Sequence, residues 1–313
     1  MTSITPTIAY LITAHAVNKQ LALLVDALLS DSRSRIYIHI DAKTRDLGWL
    51  ARTSDERIVV LTNRTAVNWG GLSITDAIRS LLEAALRDAG NVRFVLLSGA
   101  CFPLREPRSV GDAILERAEP RLAVWGRIDA TLARNEGLGR YVVTKFHPLD
   151  VPSINPKRGR FRALLWNLYK IINNALPYER KVRTDDLWRG SLFFLITREL
   201  ALHFVAPHDE LARDLRFGLA SDELFFTTLY VRWARAQNAP LVETDTTARH
   251  QAIHYIRKWK PPNRGLFTRL FVPVDLRALD HEGAMEAIES DALFARKCSA
   301  EISQGIMARW RPT

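Results

Sequence analysis

Cysteine is scarce in this sequence, and no cluster of metal-binding side chains replaces it. Only Cys101 and Cys298 occur among 313 residues, and neither has a second cysteine or a histidine at zinc-binding spacing. Disulfide-stapled and zinc-stapled folds need several such residues at short, regular spacings. Neither framework is indicated, and we expect both thiols to be reduced and structural.

Long apolar runs and targeting signals are also lacking. No stretch of about 18 uncharged apolar residues occurs, as a membrane-spanning helix would require. The first residues, MTSITPTIAYLITAH, have neither the basic region nor the small-residue cleavage site of a signal peptide. Because 47% of the residues are nevertheless hydrophobic, a sizeable core can form. The composition predicts a globular cytoplasmic protein.

Acidic residues are fewer than basic residues. The chain has 44 lysines and arginines against 34 aspartates and glutamates, a formal net charge of +10. Such an excess predicts an anionic partner, which could be nucleic acid, acidic lipid or a phosphorylated substrate. No nucleic-acid-reading motif accompanies the charge, so we expect no nucleic-acid partner.

Strands and helices alternate through the first half of the chain. Short apolar runs predict buried strands at residues 8–15, 35–41, 57–62 and 92–99. Apolar residues at helical spacing predict helices at 18–29 and 73–86, with Asn18 and Ser73 as N-caps. Less regular patterns predict strands at 121–126 and 190–196 and helices at 198–206, 208–215 and 222–236. This alternation predicts an α/β fold with a largely parallel sheet.

Ligands of open parallel sheets bind beyond the carboxyl ends of the strands. Those ends are His15, Asp41 with Lys43, and Ser98 with Gly99. An aspartate such as Asp41 can accept a hydrogen bond from a ribose hydroxyl, or it can simply stabilise a turn. The sequence leaves both interpretations open.

The segment VNWGGLS, residues 67–73, joins the third predicted strand to a helix. Gly70 and Gly71 would let the backbone pass close to a ligand, and Trp69 offers a flat face to a sugar or base. A tight packing turn is the alternative. The segment is neither a P-loop nor a three-glycine dinucleotide motif. The lack of the three-glycine motif disfavours a nucleotide-dependent oxidoreductase, which would also have alternating strands and helices. A non-catalytic glycan- or nucleotide-binding protein is a further alternative.

The stretch SDELFFTTLY, residues 221–230, places two carboxylates directly before an apolar helix. Ser221 is a predicted N-cap, and acidic residues in a first turn are stabilised by the helix dipole. Glu223, however, is one position short of the glutamate of a capping box. A capping box therefore does not account for Glu223.

Residues 156–181 interleave basic and aromatic side chains. This pattern predicts an amphipathic helix, and it allows either peripheral contact with an anionic membrane or a basic surface helix packed on the domain. The side chains concerned are Lys157, Arg158, Arg160, Arg162 and Lys170 with Phe161, Trp166 and Tyr169.

Seven motifs follow one another along the chain: IAYLITAH, IYIHIDAKT, VNWGGLS, LLSGACFPL, WRGSLFFLITRE, SDELFFTTL and LFARK. In this order they resemble glycosyltransferase family 14, the core-2/I-branching β-1,6-N-acetylglucosaminyltransferases and peptide xylosyltransferases. The resemblance runs from about residue 8 to about residue 298. It implies a GT-A type fold with a Rossmann-like sheet, a UDP-sugar donor, inversion at the anomeric carbon, and no metal or other cofactor. No Asp-x-Asp ends a strand here, and the nearest candidate, Glu243 to Asp245, lies outside the donor half.

The resemblance also implies roles for individual residues. Glu223 matches the catalytic base, and Lys297 matches a cation that holds the diphosphate. His254 stands where the family usually has the arginine that makes a second diphosphate contact, so this contact is expected from either His254 or Arg257. Cys101 likewise stands where aspartate is common. The remaining donor-binding residues are Thr13, Ala14, His15, Asp41, Trp69, Gly70, Gly71, Ser98 and Gly99. The expected acceptor-binding residues are Glu136, Arg140, Trp188, Gly190, Ser191 and Asp222, the last of which could instead orient Glu223 or cap its helix.

We therefore expect one GT-A catalytic domain over residues 1–313. Residues 1–125 would form the nucleotide-sugar half, and residues 126–313 the acceptor half with a C-terminal diphosphate-binding segment. The predicted enzyme is a bacterial cytoplasmic form, peripheral at the inner membrane, that transfers N-acetylglucosamine or xylose to a saccharide or lipid-linked glycan in surface glycan synthesis. A UDP-glucuronic acid dependent transferase of the same fold is the alternative.

Overall fold

A computed structural model describes residues 5–128, 139–151, 159–241, 244–245, 248–257 and 278–310. The strands are β1 Thr7–Ala14, β2 Ser34–Ile40, β3 Ile58–Val60, β4 Asn91–Ser98, β5 Cys101–Pro103, β6 Arg121–Arg127, β7 Trp188–Thr197, β8 His250–Gln251, β9 His254–Ile256 and β10 Phe294–Arg296. The helices are α1 Lys19–Leu29, α2 Ser73–Leu86, α3 Pro107–Leu115, α4 Gly139–Thr144, α5 Arg160–Ala175, α6 Arg198–Val205, α7 Asp209–Leu215, α8 Asp222–Ala236, α9 His281–Glu289 and α10 Ala300–Met307. A 3-10 helix spans Gly48–Arg52.

The main sheet has six strands in the order β3-β2-β1-β4-β7-β6. Strands β3, β2, β1 and β4 are parallel, whereas β7 runs antiparallel to both of its neighbours. The prediction of a largely parallel sheet flanked by helices is confirmed, and the predicted strand and helix positions agree with the structure to within a few residues.

The central strands of this sheet are buried on both faces. Residues Ile8 to Ile12 of β1 are at most 1% exposed, and α1 and α2 pack their apolar sides against the same core. Strands with both faces covered are apolar throughout rather than alternating. The continuous apolar runs of β1 and β4 follow from this burial.

The three predicted helix caps have different outcomes. Asn18 is confirmed as the N-cap of α1, since its side chain accepts a hydrogen bond from the Leu21 amide at 3.0 Å. Ser73 is not a cap but the first residue of α2. Ser221 is the N-cap residue of α8 as predicted, but its hydroxyl donates to the carbonyl of Leu215 at 2.5 Å and makes no capping hydrogen bond. The prediction is thus wrong for Ser73 and right in position only for Ser221.

A second sheet has the order β5-β10-β9-β8. Strand β10 lies between β5, to which it is antiparallel, and β9, to which it is parallel. The pairing places Arg296 opposite Cys101 and beside Ile256. This small sheet carries the C-terminal basic motif to the end of β4.

The predicted helix within residues 156–181 is present as α5. In the part of the chain described above, no helix combines the length and apolarity needed to cross a membrane.

Candidate active site

The carboxyl ends of β1, β2 and β4 meet at one edge of the main sheet. Thr13 pairs with His39 on one side and with Ser98 on the other. The amide of Asp41 donates to the carbonyl of Ala14 at 2.8 Å, and the amide of Gly99 donates to that of Thr13 at 3.0 Å. The residues predicted to hold the nucleotide are thus brought together by strand register.

Asp41 is buried at this edge and paired with Lys43. One carboxylate oxygen lies 2.7 Å from the Lys43 ammonium, and the other accepts the Lys43 backbone N–H at 2.9 Å. These contacts explain a turn-stabilising role. A ribose contact by Asp41 stays a prediction.

The Trp69-Gly70-Gly71 turn has little space for side chains at its two glycines. Gly70 has φ of 74°, and a Cβ there would lie 2.9 Å from the Leu149 side chain. A Cβ at Gly71 would lie 2.2 Å from an oxygen of Asp150. Trp69 itself is 53% exposed. The turn is tightly packed on one side and presents an indole ring on the other.

Asp150 holds this turn and the start of α2, a role that the sequence analysis missed. Its carboxylate accepts the Leu72 amide at 2.8 Å, the Ser73 amide at 3.3 Å and the Ser73 hydroxyl at 2.5 Å. The Asn68 side chain donates to the Asp150 carbonyl at 2.9 Å. The N-cap of α2 therefore comes from a distant part of the chain, and no local sequence pattern could reveal it.

Glu223 stands in the first turn of α8 and is held by an arginine from β7. The Nε and Nη2 atoms of Arg189 lie 2.9 and 2.8 Å from the same Glu223 oxygen, Oε2. Among the described residues no group donates a hydrogen bond to the other oxygen, Oε1. Two charge-assisted hydrogen bonds of this length hold the carboxylate in position. The carboxylate is thus oriented with one oxygen available.

Arg189 was not identified in the sequence because it lies between two motif residues in WRGSLFF. Its guanidinium lies 5.0 Å from the ring of Trp125. The Trp125 indole N–H donates to Gln251 at 2.8 Å. Because β7 runs antiparallel to β4, its first residues lie at the edge where β4 ends. Arg189 therefore reaches Glu223 from the sheet.

Asp222, the neighbour of Glu223, has an unusual environment. Its Oδ1 is buried and has no hydrogen-bond partner in the described part of the chain. Burial, and then the charge of Glu223, raise the pKa of Asp222 to about 7. Two adjacent carboxyls thus differ in environment, one paired with arginine and one desolvated.

The C-terminal motif reaches the same region through β10. The amide of Cys298 donates to the carbonyl of Ala100 at 2.8 Å, so Lys297 lies beside the turn that follows β4. The guanidinium of Arg296 stacks over the ring of Phe193 at 4.2 Å. Its Nε is buried, and no described residue accepts a hydrogen bond from it. The two consecutive basic residues Arg296 and Lys297 therefore lie near the carboxyl end of β4.

Arg296 also interacts electrostatically with the first residue of α8, Asp222. Burial lowers the pKa of Arg296, and the nearby charges of Cys101 and Asp222 oppose that shift. The C-terminal strand and the N-terminus of α8 are therefore neighbours. The structure gathers the LLSGACFPL, SDELFFTTL and LFARK motifs, which are far apart in sequence, into one site.

A family model described as "Core-2/I-Branching enzyme" matches residues 8–265. The chain belongs to this family. It is a glycosyltransferase, with a sugar-nucleotide donor and a saccharide acceptor, and its α/β sheet is the one expected of a GT-A type fold.

Other comparisons add little. No curated protein matches the chain. Among solved structures it is similar to a protein assigned as a glucose-1-phosphate thymidylyltransferase from Bacillus anthracis, in complex with sucrose. That likeness has 9% identity and a TM-score of 0.35, and it covers 76% of this chain and 87% of the other.

His254 and Arg257 are the two residues from which the sequence predicts a second diphosphate contact. His254 is fully buried, and burial followed by the charge of Arg296 lowers its pKa well below the usual value. Its Nε2 lies 3.6 Å from the sulfur of Cys101. Arg257 forms ion pairs with Asp280 and Glu282, the latter at 3.0 Å. His254 is thus uncharged at neutral pH, and Arg257 is engaged by two carboxylates.

The expected acceptor residues of β7 are mostly buried. Trp188 is 8% exposed, and its backbone amide donates to the Thr228 hydroxyl at 3.0 Å. A Cβ at Gly190 would lie 2.1 Å from the carbonyl of Ala123, and Ser191 is also buried. Their acceptor roles stay predictions.

Glu136 lies outside the described residues, and for Arg140 only its backbone place in α4 is described. No group of three or more histidine, cysteine, aspartate or glutamate side chains that could hold a metal occurs within the described ranges.

Proposed function

We propose that this core-2/I-branching enzyme is an inverting, metal-independent transferase that moves N-acetylglucosamine or xylose from a UDP-sugar to a saccharide hydroxyl. The observation that supports it most is the Glu223 carboxylate. Arg189 orients this carboxylate near the carboxyl end of β4, where Arg296 and Lys297 also lie. A UDP-glucuronic acid dependent transferase would use the same arrangement. Its acceptor would be a saccharide or lipid-linked glycan of a bacterial surface polymer.

In the proposed step Glu223 acts as the general base. Its Oε1 takes the proton of the acceptor hydroxyl while that oxygen bonds to the anomeric carbon. The bond from this carbon to the β-phosphate oxygen breaks on the opposite face, and UDP leaves with the electron pair. One displacement with one base inverts the configuration. Because Oε2 accepts both Arg189 bonds, Oε1 remains for the acceptor.

We assign the charge on the departing diphosphate to Lys297 and Arg296. Fixed cations can stabilise such a leaving group through charge-assisted hydrogen bonds in place of a metal ion. Arg257 would first have to leave the carboxylates of Asp280 and Glu282, so Arg296 is preferred for the second contact. Its buried, unsatisfied Nε has a hydrogen bond to donate.

The other predicted residues divide between the two substrates. Thr13, Ala14, His15 and Asp41 would hold uridine and ribose, with Ser98 and Gly99 below the diphosphate. Trp69 would stack on the nucleotide-sugar. Asp222, Trp188, Gly190 and Ser191 would shape the acceptor side, together with Arg140 and Glu136. This division matches a nucleotide-sugar half over 1–125 and an acceptor half over 126–313.

The test of the base is Glu223→Gln in an assay of UDP release from a panel of UDP-sugars with saccharide acceptors. Turnover should fall by roughly a hundredfold to ten-thousandfold while UDP affinity changes little. Glu210→Gln is the matched control, because Glu210 is also the second residue of a helix and is exposed. Full activity in Glu223→Gln would refute the assignment.

The cation assignment is tested by binding UDP and uridine to Lys297→Ala and Arg296→Gln. Each substitution should weaken UDP binding by about tenfold or more and leave uridine binding nearly unchanged, because only UDP carries the diphosphate. Lys181→Ala, at an exposed lysine, is the control. Equal losses for both ligands would indicate a structural role. Activity should also persist in EDTA, and loss restored by manganese would contradict metal independence.

A further inference from the structure

Helix α5 turns an apolar face toward solvent. Phe161, Leu165, Leu168 and Ile172 follow one another at spacings of four, three and four residues, which places them on one side of the helix. They are 72%, 40%, 47% and 61% exposed, and Ile171 beside them is 58% exposed. A surface helix normally shows the opposite pattern. We call these five residues the outer face of α5.

The inner side of α5 is anchored, so the outer face cannot simply rotate inward. Trp166 is 5% exposed and packs against His147 at a ring distance of 5.9 Å. Asn173 is buried and donates to the carbonyl of Phe146 at 3.0 Å, and the Tyr169 hydroxyl donates to the same carbonyl. The contacts that hold α5 on the protein thus determine which side is exposed.

The apolar surface continues past the end of the helix. Leu176 is 46% exposed and Tyr178 is 39% exposed. The ammonium of Lys145 donates to the carbonyls of both residues, at 2.6 and 2.8 Å, which ties this end of the segment down. Contiguous exposed apolar surface of this kind marks an interaction site rather than ordinary surface.

The charge around the outer face is of one sign. Residues 159–178 contain no aspartate or glutamate, whereas Arg160, Arg162 and Lys170 lie within α5. Lys157 and Arg158 precede the helix in sequence, outside the described residues. Lys170 is half-buried, and this burial lowers its pKa. A binding partner of this face should therefore offer apolar groups to the exposed apolar side chains and negative charge to the basic residues around them.

We propose that the outer face of α5 inserts into the headgroup region of an anionic lipid bilayer. A bilayer offers acyl chains to the five apolar side chains and negative headgroups to the basic residues. A second copy of the chain would place like charges against each other. The proposal goes beyond the transferase reaction and does not depend on it.

The test is flotation of the full-length protein with vesicles of phosphatidylcholine, with and without phosphatidylglycerol. The protein should float with the anionic vesicles, and the double variant Phe161→Ser/Ile172→Ser should lower the partition coefficient at least tenfold. The control is Leu202→Ser, a 53% exposed leucine on α6, which should float like the unaltered protein. High salt should weaken but not abolish binding, since part of the attraction is apolar.

The outcomes that overturn the proposal are specific. It fails if the protein does not float with anionic vesicles, or if the double variant floats equally well. It also fails if light scattering shows that the unaltered protein is a dimer and the double variant a monomer, because the outer face would then bind a second copy of the chain. UDP binding and the melting temperature of the double variant should match the unaltered protein, which separates this result from any failure of the transferase assignment.

Discussion

Two neighbouring carboxyls in one sequence motif have different physical roles. Glu223 is paired with Arg189 through two hydrogen bonds, whereas Asp222 keeps a buried oxygen that no described residue satisfies. The two carboxyls differ in environment rather than in residue type, because arginine holds Glu223 in place whereas desolvation favours the neutral form of Asp222. The arginine comes from a strand that is distant in sequence.

Arg189→Gln should damage catalysis more than donor binding. The variant loses the two hydrogen bonds that orient Glu223, so kcat should fall about tenfold to a hundredfold with KM for the donor little changed. Arg189→Lys should restore part of kcat.

The matched control for Arg189 is Arg57→Gln. Arg57 makes a similar two-bond contact with Asp55 before β3, at the opposite edge of the sheet. Its loss should leave kcat unchanged. A rise in KM for the donor as large as the fall in kcat in Arg189→Gln, or no recovery of kcat in Arg189→Lys, would contradict the positioning role.

Asp222 should make the protein less stable as pH rises. Its folded pKa of about 7 is above the usual value, so the folded state binds more protons than the unfolded state between about pH 4 and pH 7. Stability from this group is full below that window and is lost across it. Asp222→Asn should remove the loss, which is on the order of 4 kcal/mol at pH 8 because one pKa unit corresponds to about 1.4 kcal/mol.

Chemical denaturation at pH 5 and pH 8 measures this effect. Asp209→Asn is the control, since Asp209 is likewise the first residue of a helix but is exposed. If Asp222→Asn and Asp209→Asn change the pH dependence equally, the buried environment of Asp222 is not responsible.

At the scale of elements, the start of α2 depends on a residue outside it. Asp150 accepts three hydrogen bonds from Leu72 and Ser73 and leaves no space for a side chain at Gly71. The turn from Asn68 to Ser73 and Asp150 are therefore held together. This contact anchors the turn that carries Trp69, the residue proposed to stack on the nucleotide-sugar.

Asp150→Ala should destabilise the protein by about 1–3 kcal/mol and weaken UDP-sugar binding. The cap is lost, and the Trp69 turn loses its anchor. Thr197→Ala removes the cap of α6, where the Thr197 hydroxyl accepts the Leu200 amide, and is the control. It should lower stability without changing donor affinity. Similar affinity losses in both variants would exclude a specific role for the turn.

At the scale of the whole molecule, a few C-terminal residues complete the site. Phe294 of β10 is fully buried between β5 and β9, and its ring lies 6.2 Å from that of Tyr10 in β1. The strand that delivers Arg296 and Lys297 is thus packed on the central sheet. Donor binding and folding should be coupled through this strand.

Phe294→Ala should cost about 3–5 kcal/mol of stability, because a large buried ring leaves a cavity. UDP affinity should fall with it, since the two cations lose their support. Phe161→Ala, at a 72% exposed ring, should change neither quantity. Calorimetry with and without UDP measures both, and retained affinity in Phe294→Ala would show that β10 is held by other contacts.

The sequence alone determined the periodic parts of this protein. Apolar runs and helical spacing located β1, β2, β4, α1, α2 and α8, because burial on a sheet or helix face imposes a local repeat. The order of the motifs indicated the family, and the matching positions predicted Glu223 as the base and Lys297 as the cation that holds the diphosphate. The pairing of Arg189 with Glu223, the Asp150 cap and the position of Arg296 were decided only by tertiary structure, since each joins side chains that are far apart in sequence. The same holds for α5, whose repeat predicted an amphipathic helix, while packing of Trp166 and Asn173 decided that its apolar side is the one exposed to solvent.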